Sequence, residues 1–126
     1  MNGDTKVLHI GIASRGQMKA RTLAIARGEL KPGKNDPKVW FTSLESLAQV
    51  LSKPNQLLLE IIRRERPASL ADLAALSKRE ESNLNRTLHT MERYGLVILT
   101  RVGHRVVPLA PYGRFSVDLD LAPSAA

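Results

Sequence analysis

Residues 78–97 run "KREESNLNRTLHTMERYGLV". They have the spacing of a helix closed by Gly95 and followed by an apolar run. At 100° per residue, Leu84, Leu88 and Met91 gather on one face, flanked by Thr87 and Tyr94. Arg79, Ser82, Arg86, Thr90 and Arg93 fall on the opposite side, with Asn83 at one edge and Asn85 and His89 at the other. The stretch thus predicts a helix with a buried side and an outward side. The outward side carries three arginines at heptad spacing and no carboxylate near its centre. Glu80 and Glu81 lie in the first turn, where unpaired N–H groups and the helix dipole favour negative charge by roughly 0.3–1 kcal/mol each. Folding accounts for them without a role in binding.

The flanking sequence extends the pattern. Upstream, Ser69 and Asp72 form an S-x-x-D capping pair that opens "LADLAALS", with Leu70, Leu73 and Leu76 inward and a turn at about residues 77–79. Before it, Pro54 suits the first turn of "PNQLLLEIIRRER", whose buried side is Leu57, Leu58, Ile61 and Ile62, and Pro67 ends that helix. Ser43 caps "LESLAQVLS", with Leu44, Leu47, Ala48 and Leu51 on one face. Downstream of Gly95, "LVILTRV" and "HRVVPLA" read as a β-hairpin turning at Gly103. Helix, helix, short turn, long helix and hairpin make the winged helix-turn-helix layout. Its expected core is Leu57, Ile61, Leu70, Leu73, Leu84, Leu88, Met91, Leu96 and Ile98.

Strand-like runs lie at both ends of the sequence. "TKVLHIGIA" reads as a strand, Ser14 offers a cap for a helix through "QMKARTLAIARGEL", and "KPGKNDPK" (Lys31–Lys38) reads as a basic linker before a short strand "VWF". "RFSVDLDL" is a second strand-like run near the other end. The expected fold is mainly α with a small β component (α+β), a winged helix-turn-helix with an N-terminal strand–helix extension. Residues 1–38 form the extension and linker, 39–110 the winged-helix domain, and 111–126 a strand and tail. The two end strands each have an edge that needs pairing, across or within subunits. Together with the basic helix Gln17–Leu30, they are expected to build a homodimer that brings two recognition helices to adjacent half-sites.

Composition narrows the function. The chain has 126 residues, 43% hydrophobic, with no cysteine and a formal net charge of +7. Met1–Phe41 carries eight Lys/Arg against three Asp/Glu, Thr42–Leu109 ten against seven, and Ala110–Ala126 one against two, or +5, +3 and −1. Such a balance suits a polyanionic partner through counterion release. No disulfide framework or thiolate metal site is possible. No apolar run approaches the roughly 20 residues of a membrane span, and "MNGDTK" lacks the basic start and apolar middle of a signal peptide. A cytoplasmic protein without a membrane partner is expected. "GELKPGKN" (Gly28–Asn35) fits G-x-x-x-x-G-K, but Asn35 replaces the Ser/Thr that would hold magnesium, and the motif follows a helix instead of a strand. His9, His89 and His104 fall in three separate elements without paired-ligand spacing. No metal, cofactor or catalytic residue is expected, and nothing argues for an enzyme.

The outward face of residues 78–93 has the chemistry of a major-groove reader. Arginine bonds guanine bidentately, asparagine does the same to adenine, and Ser and Thr are permissive donors and acceptors. The stretch "SLADLAALSKREESNLNRTLHTMERYGLV" resembles the helix-turn-helix of MarR-like transcriptional regulators. With "FTSLESLAQVLSKPNQLLLEII" and a tail of the type "PYGRFSVDLDL", the residues from Val39 to Leu121 resemble a family of small predicted archaeal and bacterial DNA-binding regulators. Some members of that family are described as antitoxin components of toxin–antitoxin pairs. The resemblance implies a winged-helix, dimeric repressor of double-stranded DNA and places base reading on Ser82, Asn83, Asn85 and Arg86. Lys78, Arg79, Thr90, Arg93, Arg101, His104 and Arg105 are then expected to hold the DNA backbone. Two alternatives stand beside this reading: an autoregulating antitoxin with a cognate toxin protein as partner, and a winged helix used only for protein–protein contact. An RNA role fits poorly, because an aromatic content of 4% leaves little surface for base stacking.

Overall fold

A computed structural model describes residues 6–121. The signal-peptide reading rests on residues 1–6, of which 1–5 lie outside the described residues, as does the tail from residue 122. The elements in chain order are β1 (Val7–Ile12), α1 (Arg15–Ala26), β2 (Val39–Phe41), α2 (Leu44–Val50), α3 (Lys53–Glu65), α4 (Leu70–Ser77), α5 (Glu81–Arg93), β3 (Ile98–Val102), β4 (Arg105–Leu109) and β5 (Arg114–Leu119). The described residues form two compact units. One is Lys6 with Gln49–Gly113, and the other is Val7–Ala48 with Arg114–Leu121. The expected boundary at residues 38/39 thus lies ten residues before the observed division. The difference arises because β2 pairs with β1 and so joins the strand it follows.

In the first unit, α3 and α4 begin at capping serines. Ser52 caps α3 by accepting from the Asn55 N–H, with Pro54 in the first turn. Ser69 caps α4 by accepting from the Asp72 N–H at 3.0 Å. Lys78 ends α4 in the left-handed region at φ 60°, and its N–H donates to the Ala74 carbonyl at 2.8 Å. That residue makes the tight turn into α5. The latter starts at Glu80 with no side-chain cap, and Gly95 (φ 76°) turns the chain out of it. β3 and β4 then pair antiparallel from Ile98↔Leu109 to Val102↔Arg105, turning at Gly103 (φ 63°). This is the expected winged helix-turn-helix.

Its core is Leu58, Leu59, Ile62, Leu73, Leu84, Leu88, Met91, Leu96 and Val97, each burial contributing about 1.5–3 kcal/mol. Two expected core residues are corrected: Leu57 is 48% exposed and Ile98 47%. In α3 the buried side is rotated by one residue, onto Leu58, Leu59 and Ile62. In the wing the buried position falls on Val97, and the next residue on an extended chain faces the other way. Ile61 and Leu70 are half-buried, whereas Leu76, Leu44 and Ala48 are exposed and only Leu47 of α2 is buried.

The second unit is a three-stranded sheet of order β2-β1-β5 in which both pairings are parallel. Central β1 buries Leu8, Ile10 and Ile12. The pairing of the two end strands, left open between subunits and within one, is made within the chain. Ser14 and Gln17 form a capping box at the start of α1, which ends at Ala26, earlier than the expected Leu30. Arg21 lies 5.3 Å from the centroid of the Trp40 ring and bonds Asp36 at 2.9 Å. The Gly33 N–H also donates to Asp36, and this bond, followed by that from Arg21, holds the Asp36 carboxyl below its ordinary range.

Candidate nucleic-acid interface

The buried residues of α5 fix which side faces outward. With Leu84, Leu88 and Met91 sealed in the core, Ser82, Asn85, Arg86 and Arg93 are exposed, and their side chains make no hydrogen bond or ion pair among the described residues. Thr90 is half-buried and its hydroxyl donates to the Arg86 carbonyl at 3.2 Å, leaving its lone pairs for an outside donor. His89 lies 3.6 Å from Glu92. By helical angle, Glu81, Asn85 and Glu92 share one edge of α5, away from the Ser82–Arg86–Arg93 line. The basic residues on that line therefore face outward without a carboxylate between them. A shallow depression of about 240 Å³ runs beside them, between Gln49, Val50 and Asn55 on one side and Arg86, Thr87 and Thr90 on the other.

Arg79 and Asn83, both expected at the site, are engaged with each other within the fold. Arg79, expected on the DNA backbone, donates from Nε and Nη2 to the Asn83 carboxamide oxygen (3.0 and 2.8 Å), from Nη2 to Thr87 Oγ1 (3.1 Å) and from Nη1 to Asn55 Oδ1 (3.2 Å). Asn55 in turn donates to the Val50 carbonyl at 3.0 Å. The guanidinium therefore ties the start of α3 to the first two turns of α5. Sequence reasoning missed Asn55. Its only signal is its place three residues after the capping Ser52, which explains a turn and not a tertiary bond.

The wing carries Arg101, His104 and Arg105, all exposed, and their side chains make no hydrogen bond or ion pair among the described residues. Arg101 lies opposite Val106, and Arg105 opposite Val102. Since facing residues share a side and neighbours alternate, the two arginines leave opposite faces of the ribbon. Lys78 is exposed at the turn before α5. Among the described residues no group of three or more His, Asp or Glu is placed to hold a metal ion, and no helix is long and apolar enough to cross a membrane.

The span from residue 50 to residue 117, more than half of the chain, matches the family model HVO_A0114. The chain belongs to the HVO_A0114 family. The matched span of this HVO_A0114 protein runs from the last residue of α2 through the whole winged helix and into β5. No curated protein matches the chain. A crystal structure of a predicted DNA-binding transcriptional regulator from E. coli is similar at 17% identity and a TM-score of 0.45, covering 77% of this chain and 83% of that one.

Proposed function

We propose that this chain is a sequence-specific DNA-binding transcriptional regulator, a binding protein and not an enzyme, that represses a promoter as a cytoplasmic homodimer. The observation that carries the reading is the outward face of α5, where Ser82, Arg86 and Arg93 stand exposed and unpaired on a helix whose other side is locked into the core. In a major groove, Arg86 would bond guanine, Asn85 would bond adenine, and Ser82 would donate or accept at either. Lys78, Arg93, Arg101, His104 and Arg105 would contact phosphates at the groove edges, with Thr90 accepting or donating nearby. The MarR-like resemblance of Ser69–Val97 points the same way. Dimerisation is supported by the open edge of β5 with its exposed Val117 and Leu119, and by α1, which has no buried residue.

The test is fluorescence anisotropy of the purified protein with the DNA upstream of its own coding sequence, against random DNA of equal length, titrated at several salt concentrations. Preference for the upstream fragment at physiological salt is expected. Equal, steeply salt-dependent binding to both would leave only nonspecific attraction, and no binding would turn the reading to protein–protein contact.

A further inference from the structure

We infer that Arg79 is a positioning residue that determines what Asn83 can read. It makes the Asn83 side chain a pure donor, so that Asn83 accepts adenine and guanine alike instead of selecting adenine. The inference rests on the DNA-binding reading and concerns the specificity of that same surface.

An asparagine selects adenine by bonding it twice. Its amide nitrogen donates to N7, and its amide oxygen accepts from the N6 amino group. A carboxamide oxygen has two acceptor lone pairs. At Asn83 both are engaged, by Arg79 Nε at 3.0 Å and Nη2 at 2.8 Å. The amide cannot be turned over, because its NH₂ would then face the guanidinium N–H groups. The guanidinium is itself anchored, by Thr87 at 3.1 Å and by Asn55 at 3.2 Å. Asn55 is oriented in the same way: its NH₂ donates to the Val50 carbonyl, so its oxygen must face Arg79. Donation thus runs outward from Arg79 on both sides, to Asn55 and on to Val50 and to Asn83, which fixes both amides and leaves only the Asn83 NH₂ for a base. That group finds an acceptor at N7 of either purine. The Asn85 side chain has no hydrogen-bond partner among the described residues and retains both halves of the adenine pair. Two asparagines two residues apart on one helix therefore differ in what they discriminate, and the difference lies in a residue outside the helix.

The experiment is selection of binding sites from random DNA, followed by affinity measurements at single positions. The position read by Asn83 is the one whose preference disappears in Asn83→Ala. At that position the unaltered protein is expected to bind adenine and guanine within about threefold of each other, and replacing either purine by its 7-deaza analogue is expected to weaken binding by the same factor. Arg79→Met removes the donors at similar length and frees the oxygen, and it should raise adenine over guanine by about tenfold, the step that a bidentate contact supplies. A merely structural role for Arg79 would instead lower affinity uniformly at every position, without a new preference. Because the 7-deaza comparison uses the unaltered protein, it decides the matter even if Arg79→Met does not fold. The inference alone is overturned if the unaltered protein already prefers adenine at that position by tenfold or more. It is likewise overturned if Asn83→Ala leaves every preference intact, or if folded Arg79→Met shows only the uniform loss. Absence of any sequence-selective binding would overturn the DNA-binding reading, and this inference with it.

Discussion

Arg86→Ala separates recognition from folding. The Arg86 side chain is exposed and makes no hydrogen bond or ion pair among the described residues, and its carbonyl bond from Thr90 survives the substitution. The folded state should therefore change by no more than about 0.5 kcal/mol, and the melting temperature by no more than about 2 °C. The DNA complex loses a bidentate contact to guanine worth roughly 1–3 kcal/mol, or about 5- to 150-fold in Kd. The loss should be specific to one base pair: the variant binds the selected site and its substitution at that pair almost equally, while other positions keep their preferences. Anisotropy with a panel of single-base variants, alongside thermal denaturation, measures both sides. Leu88→Ala is the control for a folding defect. Leu88 is fully buried, so this variant should lose roughly 2–5 kcal/mol of stability and lose DNA binding through unfolding. If Arg86→Ala bound unchanged, or if it weakened all base variants equally, the placement of α5 in the groove would be refuted.

Three further outcomes follow from the structure. Arg101→Ala and Arg105→Ala should leave stability unchanged, and each that contacts a phosphate should reduce the slope of log affinity against log salt by about 0.9; because the two leave opposite faces of the wing, the reductions are expected to be unequal. Gly11→Ala would place a Cβ under 3 Å from Trp40 ring atoms, costing about 1–3 kcal/mol and lifting the ring off Arg21; Trp40 is the sole tryptophan, so its fluorescence reports the change. The Gly33 N–H and Arg21 hold the Asp36 carboxyl below its ordinary value of 3.8, so its contribution is complete above that value and is lost as pH falls through the lower folded-state value. Asp36→Asn should accordingly flatten the acid dependence of Trp40 fluorescence below about pH 4, and an unchanged acid transition would count against the Arg21–Asp36 link.

What sequence could decide follows from how unevenly its apolar residues are spaced. In α5 the apolar residues are isolated among polar ones, so periodicity allows one register, and Leu84, Leu88 and Met91 are buried as that register requires. In α3 the run Leu57–Leu58–Leu59 is continuous and allows two registers. The choice fell to tertiary packing, which rotated the face by one residue. The continuous run "LVIL" hid the alternation of β3 in the same way, which moved burial from Ile98 to Val97. At the candidate interface, the exposed residues Ser82, Asn85, Arg86 and Arg93 were legible because exposure follows from helical phase alone. The tie from Arg79 to Asn55 was not, since the two are 24 positions apart and nothing local connects them.

The parallel pairing of β1 with β5 has a consequence for how the protein is made. Val7 meets Arg114 across 107 positions of chain, and the whole winged helix lies in the interval. A nascent chain therefore exposes an incomplete sheet, β1 with a vacant edge, throughout synthesis of residues 49–113. The winged helix is a compact unit of its own and can fold before β5 emerges. Its compaction replaces a long flexible loop by a short one, which lowers the entropic cost of bringing β5 to β1. Synthesis order thus favours a ready recognition unit first and closure of the sheet last, and leaves the hydrophobic edge of β1 in need of protection during the interval.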